Sequence, residues 1–143
     1  MGAYETTPVS YNIGPEGKTI GREDGTEVSF PAGAVSGTIT VIIRLENEIE
    51  AELKEKIGRA KNIDGIQGGV RQFEIVSGQQ NFNRLVLIRI PYNNPSDNMR
   101  IFRLNEALER WELVRDGLNR PNRQDGVVEA EVKSFSVYTV GYL

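Results

Sequence analysis

The stretch TITVIIRL, residues 38–45, places an apolar side chain at every second position, namely Ile39, Val41, Ile43 and Leu45. A period of two is typical of a β-strand that buries one face against a core. The run therefore predicts a strand and indicates that the protein is built on β-sheet.

The residues before this strand predict a β-hairpin. TEVSF, residues 26–30, alternates through Val28 and Phe30 and follows Asp24-Gly25, a dipeptide that favours tight turns. KTIG, residues 18–21, is the expected partner strand on the other side of that turn.

Further strand-like runs follow towards the C-terminus. They are VRQFEIV (70–76), LVLIRI (85–90), MRIFRL (99–104), RWELV (110–114), VVEAEV (127–132) and FSVYTVGY (135–142). LVLIRI is apolar at nearly every position, which predicts a central strand, and Pro91 ends it. Seven to nine short strands at this spacing predict a mainly all-β fold, an antiparallel β-sandwich.

One segment, NEIEAELKEKIG at residues 47–58, predicts a short helix. Its apolar side chains recur every four residues, at Ile49, Leu53 and Ile57. Asn47 and Glu50 have the spacing of a capping box, and Gly58 is a plausible C-terminal stop. We expect this helix to dock across one end or edge of the sandwich.

The composition is that of one soluble domain. The chain has 143 residues, of which 38% are hydrophobic and 26% are charged. We expect a flexible N-terminal segment over residues 1–12 and a single domain over 13–143. The Gly-rich stretch 63–69 and the polar stretch 119–126 are the expected mobile loops.

The residue types that are absent exclude several kinds of chemistry. The sequence has no cysteine and no histidine, which excludes thiolate nucleophiles, sulfur-based zinc sites and Ser-His-Asp catalysis. The formal net charge is -3, which makes nucleic acid a poor partner. No run resembles a signal peptide or a membrane span, so we expect no membrane insertion.

The order of the strands and their connecting residues resembles the ZU5-like family of β-sandwich domains, which occurs in bacterial surface proteins and in animal receptors. The resemblance covers residues 13–41, 70–93, 101–114 and the closing VKSFSVYTVGYL, and FPAGAV at 30–35 is its most specific piece. Independently of the family, Pro31 ends strand pairing, Gly33 permits an unusual backbone turn, and Ala34 is small enough to lie under the sheet. The charged helix is a departure from the family pattern.

The resemblance implies a non-catalytic interaction or spacer module in a larger extracellular or cell-surface bacterial protein. The implied partners are another protein or neighbouring domains of the same chain. Some relatives cleave themselves, and by residue-wise transfer Ser136 would attack the carbonyl of Phe135. The histidine of such sites is replaced by Ser134, so self-cleavage remains an alternative without an evident base.

A structural interpretation of Phe135-Ser136 competes with that alternative. The apolar residues change phase from even positions before Lys133-Ser134 to odd positions at Phe135 and Val137. A bulge or a corner between two sheets produces such a change, and Phe135 would then fill the core.

Polysaccharide binding is another alternative, because sandwiches often present aromatic platforms to sugars. The candidate ligand-facing aromatics are Tyr92, Tyr138 and Tyr142, whereas a single tryptophan such as Trp111 is more often in the core. NNPSDN (93–98) and NIDG (62–65) lack the regular spacing of calcium loops. A loop that contains Arg115, Arg120 and Arg123 is interleaved with acids and favours a solvated turn over an anion site. We therefore expect no enzyme activity, no cofactor and no metal.

Overall fold

A computed structural model of the protein describes residues 8–63 and 69–143. These residues form eleven strands, one α-helix and one short 3-10 helix, Glu46–Glu48. The strands are β1 (Ser10–Ile13), β2 (Lys18–Gly21), β3 (Glu27–Phe30), β4 (Ile39–Leu45), β5 (Arg71–Ser77), β6 (Asn81–Pro91), β7 (Met99–Asn105), β8 (Arg110–Leu113), β9 (Asn119–Asn122), β10 (Val127–Ser134) and β11 (Val137–Tyr142), and the helix is α1 (Ala51–Arg59).

The strands form two antiparallel sheets. The six-stranded sheet has the order β1-β4-β5-β11-β7-β8, and the five-stranded sheet has the order β2-β3-β6-β10-β9. The predicted all-β sandwich with one helix is confirmed, as is the β2–β3 hairpin around Asp24-Gly25. Within the described residues the strands number two more than the upper expectation of nine. The additional strands are β1, which begins inside the predicted flexible segment 1–12, and β9, which lies in the predicted mobile loop 119–126.

The main core lies between the two sheets. Alternate residues of each strand point into it, as predicted, and Val41, Ile43 and Ile88 have no exposed surface. Complete burial of one such side chain is worth about 1.5–3 kcal/mol, so this alternation supplies much of the drive to fold.

A second core lies on the outer face of the six-stranded sheet, under α1. Ile49 and Leu53 pack there against residues of β7, β8 and β11, namely Phe102, Leu104, Trp111 and Val137. The helix therefore docks on the sandwich, but on the outer face of one sheet rather than across an end or edge as expected.

The start of the helix differs from the prediction. Asn47 does not cap it, since residues 46–48 form the 3-10 turn and Glu50 occupies the N-cap position without a side-chain cap. The physical reason is Glu48, whose carboxylate accepts hydrogen bonds from Leu45 N–H and from Arg22 and so holds the turn against the sheet. The helix also continues one residue past Gly58, to Arg59.

The chain passes from one sheet to the other between β10 and β11. The register of β10 with β6 shifts between Val132 and Ser134, which confirms the predicted irregularity at a sheet-to-sheet corner. After the corner the parity differs from the expectation, because Tyr138 lies in the main core and Val137 lies in the second core. Both faces of β11 are covered, so apolar residues at odd positions did not identify the inner face.

The loop FPAGAV ties the two halves of the chain together. Gly33 has a φ of +85°, and Ala34 is 1% exposed. The Ala34 carbonyl accepts a hydrogen bond of 2.8 Å from Asn83 N–H at the start of β6. The conformational roles predicted for Gly33 and Ala34 are confirmed.

The start of β1 and the end of β11 lie at the same end of the six-stranded sheet. Each neighbouring pair from β1 through β4 and β5 to β11 is antiparallel. β1 therefore runs opposite to β11, and the chain enters β1 and leaves β11 at the same end.

Candidate functional site

Phe135, the residue before the candidate nucleophile, is the centre of an aromatic cluster. Its ring centroid lies 5.8 Å from that of Phe30, 5.5 Å from Phe73 and 5.0 Å from Phe82. Phe30 and Phe82 belong to the five-stranded sheet and Phe73 to the six-stranded sheet. Phe135 therefore fills the space between the sheets at the corner, as the structural interpretation predicted.

Ser136 is held by its backbone rather than by its hydroxyl. Its carbonyl accepts a hydrogen bond of 3.0 Å from Phe73 N–H, and the preceding Ser134 carbonyl accepts one of 2.7 Å from the Tyr138 hydroxyl. Ser136 lines a polar cleft of about 240 Å³. The cleft also contains Gln72, Glu74, Gln80 and Glu106.

The described residues give the Ser136 hydroxyl no activating partner. No hydrogen bond in residues 8–63 and 69–143 joins its Oγ to a carboxylate or an amine. The backbone at 134–136 is also free of left-handed strain, since the non-glycine residues with positive φ in the described chain are Asn94 and Glu109. Among the described residues, Ser136 therefore shows neither a hydrogen-bonded base nor a positive φ, two features that can activate a serine.

The candidate aromatic platforms lie mostly inside the protein. Tyr138 is fully buried, so its assignment as ligand-facing is corrected, because the even residues of β11 face the main core. Tyr92 and Tyr142 are half-buried and pack against the same core. Trp111 is 5% exposed and donates its indole N–H to the Ala60 carbonyl, as expected of a core tryptophan.

The basic loop is neutralised by acids. Arg120 pairs with Glu129 and Arg123 pairs with Asp97, at 3.0 Å each, while Arg115 is exposed. In the described ranges no group of three or more acidic side chains is placed to hold a metal ion. Most of the Gly-rich loop 63–69, and with it the end of NIDG, lies outside the described residues.

On three of the four outermost strands, β2, β8 and β9, some backbone groups at the open edge are bonded to a side chain or are missing. The Tyr11 hydroxyl donates to Gly21 O on β2 at 2.7 Å. Asn62 bonds both backbone groups of Trp111 on β8. On β9, Pro121 has no N–H, and the Asn119 amide turns inward to Ile101 on β7. One group on the edge of β2 and two on the edge of β8 are thus already bonded, and the edge of β9 lacks one donor.

The outer face of the five-stranded sheet is open instead. No helix covers it in the described chain, and its residues form a shallow depression of about 290 Å³. Half-buried Leu85 and Leu87 lie in the depression, with Ser29, Pro31 and Glu131 around them. We call these five residues the leucine face.

A buried carboxylate lies beside the leucine face. Glu129 is 1% exposed although it points outward from β10. Arg89 and Arg120 each approach its carboxylate to 3.0 Å, and the Arg89 N–H is not aligned as a hydrogen bond. The two guanidinium groups compensate for the desolvation of the carboxylate and cover it from solvent.

A cavity of about 550 Å³ lies between α1 and the β2–β3 turn. Leu45 and Ile57 provide its apolar walls and Lys54 is at its rim. Arg71 also lines it, but its guanidinium already donates to Thr26 and to Asp24, at 2.9 Å each. Through these contacts Arg71, on the six-stranded sheet, connects to the β2–β3 turn of the five-stranded sheet.

Comparison of the chain with protein-family models and with the curated proteins gives no match. No helix in the described parts of the chain has the length and apolar character needed to cross a bilayer.

Sequence reasoning did not identify the leucine face. LVLIRI predicted a central strand, and β6 is central, between β3 and β10. A strand with apolar residues on both faces predicts that both faces are covered. That signal pointed to Leu85 and Leu87, but only the structure shows that their side of the sheet is uncovered.

Proposed function

We propose that the protein is a non-catalytic protein-interaction module that binds a partner through the leucine face. The resemblance to ZU5-like domains of bacterial surface proteins supports this function. The same resemblance supports an extracellular or cell-surface location within a larger protein. The partner is a protein surface or a neighbouring domain of the same chain.

The observation that carries the proposal is the unequal covering of the two sheets. α1 and the second core cover much of the outer face of the six-stranded sheet. The five-stranded sheet leaves Leu85 and Leu87 in an open depression whose border is polar. An apolar centre with a polar rim is the usual make-up of a protein-binding surface.

The chemistry of the leucine face favours a protein over a polysaccharide. Sugars bind to flat aromatic rings, but the centre of this face is aliphatic, and the described tyrosines and Trp111 pack against the two cores. Aliphatic side chains of a partner fit Leu85 and Leu87, and a partner donor fits Glu131.

The strand directions favour a binding role over that of an in-line spacer. The chain enters β1 and leaves β11 at the same end of the sheet. A domain connected at one end projects sideways from a longer chain, where its faces are accessible to partners.

The test is differential capture with the double variant Leu85→Ser/Leu87→Ser. Val76→Ser is the matched control, because Val76 is an apolar side chain, 47% exposed, on the six-stranded sheet. Wild type and the control should retain the same surface protein or neighbouring domain. A photo-crosslinking residue introduced in place of Ser29 should form crosslinks to that partner. The double variant should lose it. Equal capture by all three folded proteins would contradict the proposal.

Intact mass tests the non-catalytic part of the proposal separately. We expect the full-length mass before and after hydroxylamine treatment, which opens esters, and the same mass for Ser136→Ala. Loss of residues 136–143 from the wild type alone would establish self-cleavage at Phe135-Ser136.

A further inference from the structure

The outward-facing groups of β8 can be assigned from its register with β7. Val114 N–H donates to Ile101 O at 3.2 Å, just beyond the last residue of β8. Because hydrogen-bonded positions alternate in antiparallel pairs, Glu112 and Arg110 bond β7 in the same way. The N–H and C=O of Trp111 therefore point away from the sheet.

Asn62 occupies those two groups of Trp111. Trp111 N–H donates to Asn62 Oδ1 at 2.7 Å, and Asn62 Nδ2 donates to Trp111 O at 2.8 Å. A side-chain carboxamide has the donor and the acceptor of a backbone peptide group. Asn62 thus makes the two bonds that a residue of a neighbouring antiparallel strand would make, and the edge of β8 is complementary to an extended chain.

We propose that the edge of β8 pairs with β8 of a second copy of this chain, Trp111 opposite Trp111, and that Asn62 keeps this edge closed in the single chain. The paired edges would form a continuous sheet of twelve strands, twice the six of the present sheet. This inference does not rest on the leucine face, which lies on the other sheet.

Charge complementarity selects the second copy as the occupant and fixes the register. With Trp111 opposite Trp111, Arg110 of each chain lies opposite Glu112 of the other, which gives two favourable cross-strand pairs. Both side chains are exposed. Glu112 makes one hydrogen bond of 3.2 Å, to Asn105 of its own sheet, and Arg110 has no ion pair with the described residues.

The two neighbouring registers that also satisfy the backbone are disfavoured. One places Leu113 opposite Trp111 and therefore sets Glu112 opposite Glu112, and the other places Glu109 opposite Trp111 and sets Arg110 opposite Arg110. Like charges directly opposite each other destabilise a strand pair. The sequence RWEL in β8 is thus suited to one antiparallel self-pairing.

Asn62 holds the edge through its position in the chain. It follows α1 by a few residues, and this connection is anchored by Trp111 Nε1 on Ala60 O, at 3.1 Å. Arg59 adds a two-point contact with Glu109, at 2.9 and 2.6 Å. An amide tethered so close to the edge has a high effective concentration and competes well with a second molecule. Closing the edge in this way also protects the single chain from unwanted strand addition.

The test compares the oligomeric state of wild type with that of Asn62→Ala, by light scattering and sedimentation over a range of protein concentrations. The wild type should be monomeric at low concentration and dimerise weakly as the concentration rises. Asn62→Ala should dimerise reversibly, with a dissociation constant lower by about tenfold or more. Asn62→Ser is a second variant in case the alanine variant does not fold. Circular dichroism and Trp111 emission verify the fold of each.

Charge variants in the Asn62→Ala background test the register. Adding Glu112→Arg should abolish the dimer, because Arg110 then faces arginine. Adding Arg110→Glu as well should restore it. A folded Asn62→Ala or Asn62→Ser protein that remains monomeric overturns the proposal. So does a dimer that Glu112→Arg does not weaken.

Discussion

At the scale of single residues, Gly33 shows how one backbone angle constrains the sequence. Its φ of +85° lies in a region that side chains disfavour, although an added Cβ would meet only Arg84, at 3.4 Å from its Nε. We expect Gly33→Ala to lower the free energy of unfolding by about 1–2 kcal/mol, from backbone strain alone. Urea denaturation measures this cost.

Gly37→Ala is the matched control for that prediction. Gly37 has no neighbouring atom within 4 Å of the added Cβ and no positive φ. Its substitution should leave stability unchanged or slightly raised. If both variants lose the same stability, the φ of Gly33 is not the cause.

At the corner between the sheets, we expect truncation of the Phe135 side chain to lower the free energy of unfolding most. It contacts three other phenylalanine rings and joins the two sheets. We expect Phe135→Ala to reduce the free energy of unfolding by about 3–5 kcal/mol through the cavity it leaves. Phe135→Leu should cost less. Chemical denaturation checks both, and a small effect of Phe135→Ala would show that the corner collapses around the gap.

The sequence predicted some residue roles and not others. The burial of Trp111 and the packing of half-buried Phe135 against the core followed from the size of their apolar surface. Tyr138 was expected to face a ligand, but the position of a residue along a strand does not say which face is inward when both faces of the strand are covered. The role of Asn62 had no local signal, because its partner Trp111 lies far away in the sequence.

At the scale of elements, α1 depends on the second core. It spans nine residues, which is too short for an isolated helix to be stable in water. We expect Leu53→Ala to lower stability by about 2–4 kcal/mol and to change the emission of Trp111, which packs in the same cluster. Lys54→Ala, on the exposed side, should change neither. Unaltered Trp111 emission in Leu53→Ala would contradict the coupling.

The start of α1 could not be predicted because a distant ion pair decides it. The spacing of Asn47 and Glu50 favoured a local capping box. Glu48 instead binds Arg22 through both oxygens, at 2.6 and 2.8 Å. β9 was missed for a similar reason, since NRPN has no apolar pattern and its strand form depends on pairing with β10.

At the scale of the whole molecule, carboxylates with lowered pKa make the free energy of unfolding depend on pH. Burial raises the pKa of Glu48, but its bonds to Arg22 and Leu45 N–H outweigh burial and leave it below its usual value. Burial likewise opposes, without overcoming, the lowering of the Asp116 pKa by Lys133 N–H and Arg103. The folded state therefore binds these protons less readily than the unfolded chain does.

The sign of the pH dependence follows from those shifts. Their stabilisation is complete above the unfolded pKa values, about 4, and is lost as the pH falls through the lower folded values. We expect the thermal midpoint to fall between about pH 5 and pH 2. Glu48→Gln should be less stable at pH 7, because it removes the buried carboxylate from Arg22 and leaves that guanidinium with the Ile43 carbonyl and the more exposed Glu23. Its pH dependence should be flatter. Exposed Glu52→Gln is the control, and identical pH profiles would refute the assignment.

The overall architecture was predictable to the level of a sandwich. Alternation along β4 and β5 and the turn at Asp24-Gly25 specify strands and hairpins locally. Sheet order is not local, because β11 separates β5 from β7 only after the chain crosses between the sheets at Phe135. The state of each edge and the uncovered leucine face depend on that order, so they became visible only in the structure.

The shared end at which the chain enters β1 and leaves β11 bears on how the domain responds to tension. A load applied through these strands pulls them apart from one end, so the bonds of β1 to β4 break one after another rather than together. β1 has four residues, and few bonds resist each step. We expect single-molecule pulling to detach β1 first and at low force, with the rupture rate set by unfolding kinetics. Under such a load the domain would therefore begin to unfold at β1, while the other strands of the two sheets remain paired.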